Sequence, residues 1–323
     1  MKVRHLVIIF LLLSTMFSCK KVKLNKAPIA DAGPAVNMLR SGDTATLTGK
    51  GTDADGIITG YLWSEVSGPN IPYIHTPGSV STKVTNLIAG KYYFQLMVID
   101  DDGATGLDTV SVTVLPAIIK TLTLQPGPGE GQDAFVFTRQ NDNASLNTNF
   151  GISPQMTYQE WTWNADGFGE GTLRTYLKFS ALSAIPSNAE ILSAKLNLYG
   201  VPSDGFSPQG NSHYPGSPYG SSPDNTGWLQ RVTSNWDQMA ITWNNKPGTT
   251  NTNQLSLPGT TARWNFNLSD LDVTEMIKTM VSTSSNFGFC LSLQNEATYR
   301  CVLFASSEAS DPGLRPKLVV VYR

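Results

Sequence analysis

The sequence predicts an all-β chain folded as two successive antiparallel β-sandwiches, the second carrying one short helix. Two observations predict it. Short stretches in which apolar and polar residues alternate, the period of a half-buried strand, recur along most of the 323 residues. Between them stand clusters of Gly, Pro, Asn and Ser, with 28 glycines and 19 prolines to punctuate the strands. Long runs with the 3.6-residue period of a helix are nearly absent.

Residues 1–27 precede the sandwiches. Lys2 and Arg4 lead into an unbroken apolar run, Leu6 to Leu13, and then through Ser14 to Ser18 into Cys19. A run that short cannot span a hydrocarbon layer of ~30 Å and reads as a secretory signal. A small residue followed by cysteine resembles the lipobox of bacterial lipoproteins, in the loose form of Bacteroidetes, with Met16 and Phe17 replacing the usual Leu and small residue. The resemblance implies loss of residues 1–18, lipidation of Cys19 and an outer-membrane anchor, with the periplasmic or external face left open. An ordinary cleaved signal with an incidental cysteine is the alternative. Residues 19–27 then form a tether whose Lys20, Lys21, Lys23 and Lys26 either meet anionic headgroups or stay solvated.

Loss of residues 1–18 removes Lys2 and Arg4 and takes the formal net charge from −2 to −4. A mildly acidic chain lacks the basic surplus of nucleic-acid binders, and that class of partner is excluded.

The first sandwich is placed at residues 28–115. Prolines 28 and 34 hold the entry extended, Thr44 to Gly49 alternate, and Asp53 to Gly56 form a turn. Strands follow over Ile57–Val66, Tyr92–Asp100 and Thr109–Val114, and roughly seven short strands in this length suit an immunoglobulin-like sandwich. Trp63 reads as core. Asp53, Asp55 and Gly56 lack the twelfth-position glutamate of a calcium loop. Pro28–Pro34, Leu47-Thr48-Gly49, Asp53–Gly56, Tyr61-Leu62-Trp63, Gly68-Pro69 and Val98-Ile99-Asp100 with Gly103 together resemble a PKD domain, with Trp63–Pro69 replacing its usual WxFGDG turn. The resemblance implies a non-catalytic spacer or adhesion module.

The second sandwich is placed at residues 119–323. Its strands are expected over Thr121–Gln125, Thr172–Ser180, Ile191–Tyr199, Phe287–Leu293, Arg300–Ala305 and Lys317–Tyr322. One helix is expected after a Ser269 cap, with Asp270 and Asp272 at its positive end and Val273, Met276, Ile277 and Met280 on one face. Asp133–Val136, Asn149–Gly151, Arg174–Phe179, Ser193–Tyr199, Trp236 with Ile241–Pro247, Leu271–Thr274, Phe287–Phe289, Ser306–Glu308 and Arg315–Leu318 occur in an order that resembles a DNRLRE domain, also described as carbohydrate-binding module family 96. The resemblance implies a β-jelly roll that binds polysaccharide, acidic glycans such as alginate first. Two departures are a hairpin over Trp161–Thr172 and a long loop over Pro202–Gly227, either of which changes or blocks a ligand surface.

Alternation over Thr172–Ser180 sets Arg174, Tyr176 and Lys178 on one face, and over Ser193–Tyr199 it sets Lys195, Asn197 and Tyr199 on one face. Rings stack on the C–H faces of sugars, and cations pair with uronate carboxylates, so the two stripes are a candidate anionic-glycan surface. They are equally read as solvated sheet faces, and they separate if the strands lie in different sheets. A second candidate is the loop aromatics Trp161, Trp163, Phe206, Tyr214, Tyr219 and Trp228. Trp236 and Trp243 read as core.

Cys290 and Cys301 fall opposite one another if the chain turns at Asn295-Glu296, which allows a cross-strand disulfide in an oxidising compartment; two buried thiols are the alternative. His75 and His213 stand alone, without metal-ligand spacing, and no GxSxG elbow or phosphate loop occurs. A structural Ca²⁺ near Asp133 or Asp142 is a further candidate. The reading is a lipid-anchored, non-catalytic polysaccharide-binding protein of the cell envelope. The alternatives are an adhesion lipoprotein that contacts envelope proteins or cell-wall polymers, and a polysaccharide-degrading enzyme.

Overall fold

The computed structural model describes residues 24–38, 43–203, 207–220 and 224–323. The signal, Cys19, Lys20, Lys21, Lys23 and Phe206 lie outside the described residues. The chain divides into two compact units, Met1–Ala117 and Ile118–Arg323.

The first unit holds β1 (Ile29–Asp31), β2 (Val36–Met38), β3 (Ala45–Thr48), β4 (Lys50–Thr52), β5 (Ile58–Ser67), β6 (Tyr73–Ile74), β7 (Ser81–Thr85), β8 (Gly90–Asp100) and β9 (Thr105–Val114). One sheet runs β2-β9-β8-β5 and a second β3-β7-β6, while β1 pairs with β4. Period-two alternation on β8 buries Tyr92, Phe94, Leu96 and Val98, and these meet Trp63, Leu47 and Val84 in an immunoglobulin-like core. Trp63 is 2% exposed and its indole N–H donates to Ser79 O at 3.1 Å. Asp53 Oδ1 accepts from Asp55 N at 3.2 Å, which makes this acidic stretch an Asx turn.

The second unit is a curled sandwich built from β10 (Lys120–Leu124), β11 (Gln132–Arg139), β12 (Gln155–Thr162), β13 (Glu170–Lys178), β14 (Ile191–Leu198), β15 (Gly227–Val232), β16 (Thr249–Leu257), β17 (Leu268–Asp272), α1 (Thr274–Ser282), β18 (Phe289–Leu293), β19 (Arg300–Ala305) and β20 (Lys317–Tyr322). The smaller sheet runs β10-β20-β14-β17, and the larger runs β16-β15-β18-β13-β12-β19 with β11 paired to β13. Leu196, Leu198, Leu318 and Val320 of the smaller sheet share one core with Tyr158, Leu177, Leu291 and Phe304 of the larger, and Met276, Ile277 and Met280 of α1 join it. Among the described residues no helix is long and apolar enough to cross a membrane.

Three details shape the larger sheet. First, β13 pairs with β11 along its length, with β12 over its first half and with β18 over its second half. At that fork the Thr175 hydroxyl accepts from Thr157 N at 3.0 Å and donates to Thr157 O at 2.7 Å, so a side chain replaces the strand-to-strand bonds. Second, β19 pairs with β12 on one side only, and its other side is met by the long loop. Cys301 N donates to Ser212 Oγ at 2.8 Å, Leu303 N donates to Asn211 Oδ1 at 2.8 Å, and Cys301 O accepts from Asn225 Nδ2 at 2.7 Å. Third, residues 233–248 lie over the sheet face that carries Tyr176, whose hydroxyl donates to Pro247 O at 3.1 Å.

Several expectations are corrected. The disulfide does not form: Cys290 on β18 and Cys301 on β19 are separate thiols, because β13 and β12 stand between the two strands. The cysteines therefore follow one another in sequence without being a hairpin pair. The helix begins at Thr274 rather than after Ser269, since Ser269, Asp270 and Asp272 continue β17. Asp272 still serves its start, accepting from Thr274 N at 3.1 Å. Trp161 and Trp228 stand in β12 and β15 rather than in loops.

Candidate functional site

The two basic-aromatic stripes do not form one surface. Arg174, Tyr176 and Lys178 are on β13 of the larger sheet, whereas Lys195 and Asn197 are on β14 of the smaller one, with Tyr199 just beyond it. Tyr176 is 1% exposed, Lys178 and Asn197 are 7% exposed, and none of the three faces solvent. Lys178 is turned inward, donating to Asn235 Oδ1 at 3.1 Å and Trp236 O at 3.2 Å, and burial holds its pKa below the usual lysine range. Asn197 Oδ1 accepts from Asp270 N, and Lys195 pairs with Asp272 at 2.9 Å. Tyr199 is half-buried, and its carbonyl accepts from Ala305 N at 2.8 Å.

Segment 233–248 explains the burial. Trp236 lies in a small core with Tyr176, Val136 and Ile241, and its indole N–H donates to Phe287 O at 2.8 Å. Trp243 does not close over in the same way. It is half-buried, with the Arg174 guanidinium carbon 5.3 Å and Lys246 Nζ 3.8 Å from its ring centroid. Glu296 takes Arg174 in a fork, through Nε at 2.8 Å and Nη2 at 3.1 Å. Burial lowers the Lys246 pKa, and the nearby Arg174 charge lowers it further. Lys246 Nζ makes one protein hydrogen bond, to Trp243 O at 2.9 Å, so two of its three N–H groups remain open among the described residues. Neither Trp243 nor Lys246 was among the sequence-predicted ligand residues; a cation three positions after a tryptophan in a turn was the available signal.

The remaining candidates, Trp161 and Trp163, do come together. They line a groove of about 280 Å³ with Phe137, Gln159, Thr162, Leu173, Ser207, Pro208 and Gln209. Trp163 packs on Phe137 at 4.8 Å between centroids, and Gly171 makes room for it, since a Cβ there would lie 2.8 Å from the indole. Trp161 meets Tyr219 edge-on at 4.8 Å and Tyr299 at 5.4 Å. Tyr214 belongs to a different hollow, with His213 and Thr260, and Trp228 lies half-buried on β15.

Asp133 and Asp142 are both committed to protein donors. Asp133 accepts from Ser307 N at 2.9 Å and burial pushes its pKa up to about 6; Asp142 pairs with Arg139 at 2.6 Å. Among the described residues no three His, Cys, Asp or Glu side chains gather as a metal cluster.

Comparison with known proteins agrees with this architecture. The dyslexia-associated protein KIAA0319-like protein of Mus musculus is 28% identical over 149 residues, 45% of this chain and 14% of that protein. Low-density lipoprotein receptor-related protein 11 of Homo sapiens is 32% identical over 109 residues, 34% of this chain and 22% of its own length. The chain thus spans under a quarter of the length of these relatives. The solution structure of the PKD domain from KIAA 1837 protein is 33% identical, covering 29% of this chain and 92% of that domain at a TM-score of 0.26. Residues 32–114 match the PKD domain of the KIAA0319-like type, and residues 130–322 match carbohydrate-binding module family 96. With more than half its length in that second match, the chain belongs to carbohydrate-binding module family 96, preceded by a PKD domain.

Proposed function

We propose that this chain is a non-catalytic polysaccharide-binding protein whose second unit takes acidic glycans at Trp243, between Arg174 and Lys246. The observation that carries the reading is the pair of cations on one indole. Arg174 and Lys246 repel each other at a half-buried site, and only Arg174 has a carboxylate partner. A uronate carboxylate arriving at Lys246 relieves that repulsion and fills its open N–H groups, while the sugar ring lies against the indole. Alginate, a linear polyuronate, is the first ligand to try. Both kinds of module are non-catalytic in character, which supports binding without turnover.

The PKD domain serves as a spacer. Lipidation at Cys19 would hold the assembly on an outer membrane, with the lysines of residues 19–27 beside the headgroups. The test is affinity electrophoresis of the chain carrying Cys19→Ser through alginate, polygalacturonate and neutral glucans. Retardation by the polyuronates that Lys246→Ala abolishes supports the reading, and unretarded migration through both polyuronates refutes it.

A further inference from the structure

The groove between Trp161 and Trp163 differs in kind from the Trp243 site. None of its nine lining residues carries a charge. What it offers instead is amide and indole chemistry beside apolar rings. Gln159 Oε1 accepts from the Cys301 thiol at 3.0 Å, which leaves its Nε2 without a partner among the described residues. Gln209 spends its Nε2 only on a long 3.7 Å contact to Cys301 Sγ, and its Oε1 has no partner among the described residues. The indole N–H groups of Trp161 and Trp163 likewise make no hydrogen bond to a described residue. None of these atoms is walled off among the buried, unpartnered groups of the chain, so each reaches solvent.

The aromatic surface continues past the groove. Tyr219 and Tyr299 stack at 5.8 Å with their planes 20° apart, and both stand edge-on to Trp161. Tyr299 is 47% exposed and has φ of +67°, a left-handed conformation that a bulky side chain adopts only where its surroundings enforce it. Here that backbone lifts an aromatic ring into solvent beside two others. Strain spent on exposing a large ring is a mark of a contact surface.

From this we infer that the Gln159–Trp161–Trp163–Gln209 groove is a second glycan subsite, selective for an uncharged pyranose ring and independent of the Trp243 site. The inference rests on the reading of the second unit as a polysaccharide binder. A carboxylate entering this groove would shed water and meet no cation, whereas hydroxyls find donors and an acceptor at its walls. The volume lies near the lower end of the range for ligand pockets, ~300 Å³ and above, so it holds a short stretch of chain whose next ring continues onto Trp161, Tyr219 and Tyr299.

The test uses the chain with Cys19→Ser and three uncharged probes: cellohexaose, laminarihexaose and mannohexaose. Binding is followed by calorimetry and by tryptophan fluorescence, with alginate oligosaccharides alongside. At least one neutral hexasaccharide is expected to bind, and Trp163→Ala and Gln209→Ala each to weaken it, about tenfold and about threefold. Lys246→Ala leaves that affinity within about twofold while it weakens alginate. Melting curves identify a variant that has lost its fold, and Gln209→Ala, at a half-buried loop position, carries the test if Trp163→Ala has. The inference is overturned if no neutral hexasaccharide binds, or if Gln209→Ala has no effect on one that does. Failure of alginate alone, with neutral binding intact, refutes the Trp243 reading and leaves this one standing.

Discussion

Lys246 holds Trp243 at two points, with Nζ 3.8 Å from the ring centroid and 2.9 Å from the carbonyl oxygen. The ammonium therefore stays over the indole instead of sampling solvent, and its charge is displayed at a fixed place. Lys246→Ala is expected to weaken alginate binding about tenfold at low ionic strength, the factor that ~1.4 kcal/mol represents. Raising the salt to about 0.5 M is expected to shrink the difference between the two proteins, because exposed charges are screened within a few ångström. Isothermal titration at two salt concentrations measures both effects.

Thr175 closes the fork in the larger sheet through one hydroxyl. Thr175→Val keeps the shape and leaves Thr157 N and Thr157 O without these bonds in a buried place. An unsatisfied buried backbone group costs about 1–3 kcal/mol, so a loss of about 2–4 kcal/mol is expected. Thr175→Ser retains the hydroxyl and should lose about 1 kcal/mol or less for its missing methyl. Urea denaturation midpoints distinguish the two.

Asp133 gives the second unit a pH dependence. Its folded pKa, about 6, lies above the ordinary carboxylate value of 3.8, with burial the main cause. The folded state therefore holds the proton more tightly than the unfolded chain does. Its contribution is full below about pH 4 and is lost as pH rises through about 6, by something on the order of 3 kcal/mol. Asp133→Asn stays neutral and should flatten that part of the curve. The measurement is the wild-type minus variant stability difference at pH 4 and pH 7; equal differences at the two values refute the assignment.

Cys290 and Cys301 are expected to behave as inert thiols. Burial pushes the Cys290 thiol up to about 12. With Cys19→Ser in place, thiol titration should count two groups after denaturation and almost none before, and reductant should leave the melting temperature unchanged.

The alternating strands were readable because each has one buried face and one partner layer. Arg300–Ala305 and Lys317–Tyr322 appear with the bounds the pattern predicts. On β13 the pattern misleads, since its outward residues Tyr176 and Lys178 are covered by residues 233–248 and alternation carries no record of a covering loop. The same blindness misplaced the cysteines. Periodicity locates strands but not neighbours, and β18 and β19, consecutive in sequence, are separated in the sheet by β13 and β12. Trp161 and Trp163 were legible as binding residues because two rings at i and i+2 on a strand point to one side. Gln159 and Gln209 were not, because they meet only when the loop after β14 folds back across β12.

That returning loop has a consequence for how the protein survives at high concentration. A bare sheet edge recruits strands from other chains and seeds aggregates. The six residues of β19 would be such an edge, and what closes it is not another strand but Asn211, Ser212 and Asn225. Protection then hangs on a few amides and one hydroxyl rather than on a full ladder. Changing Asn225 alone would open the edge at Cys301, turning a monomer-compatible rim into a template for its own copies.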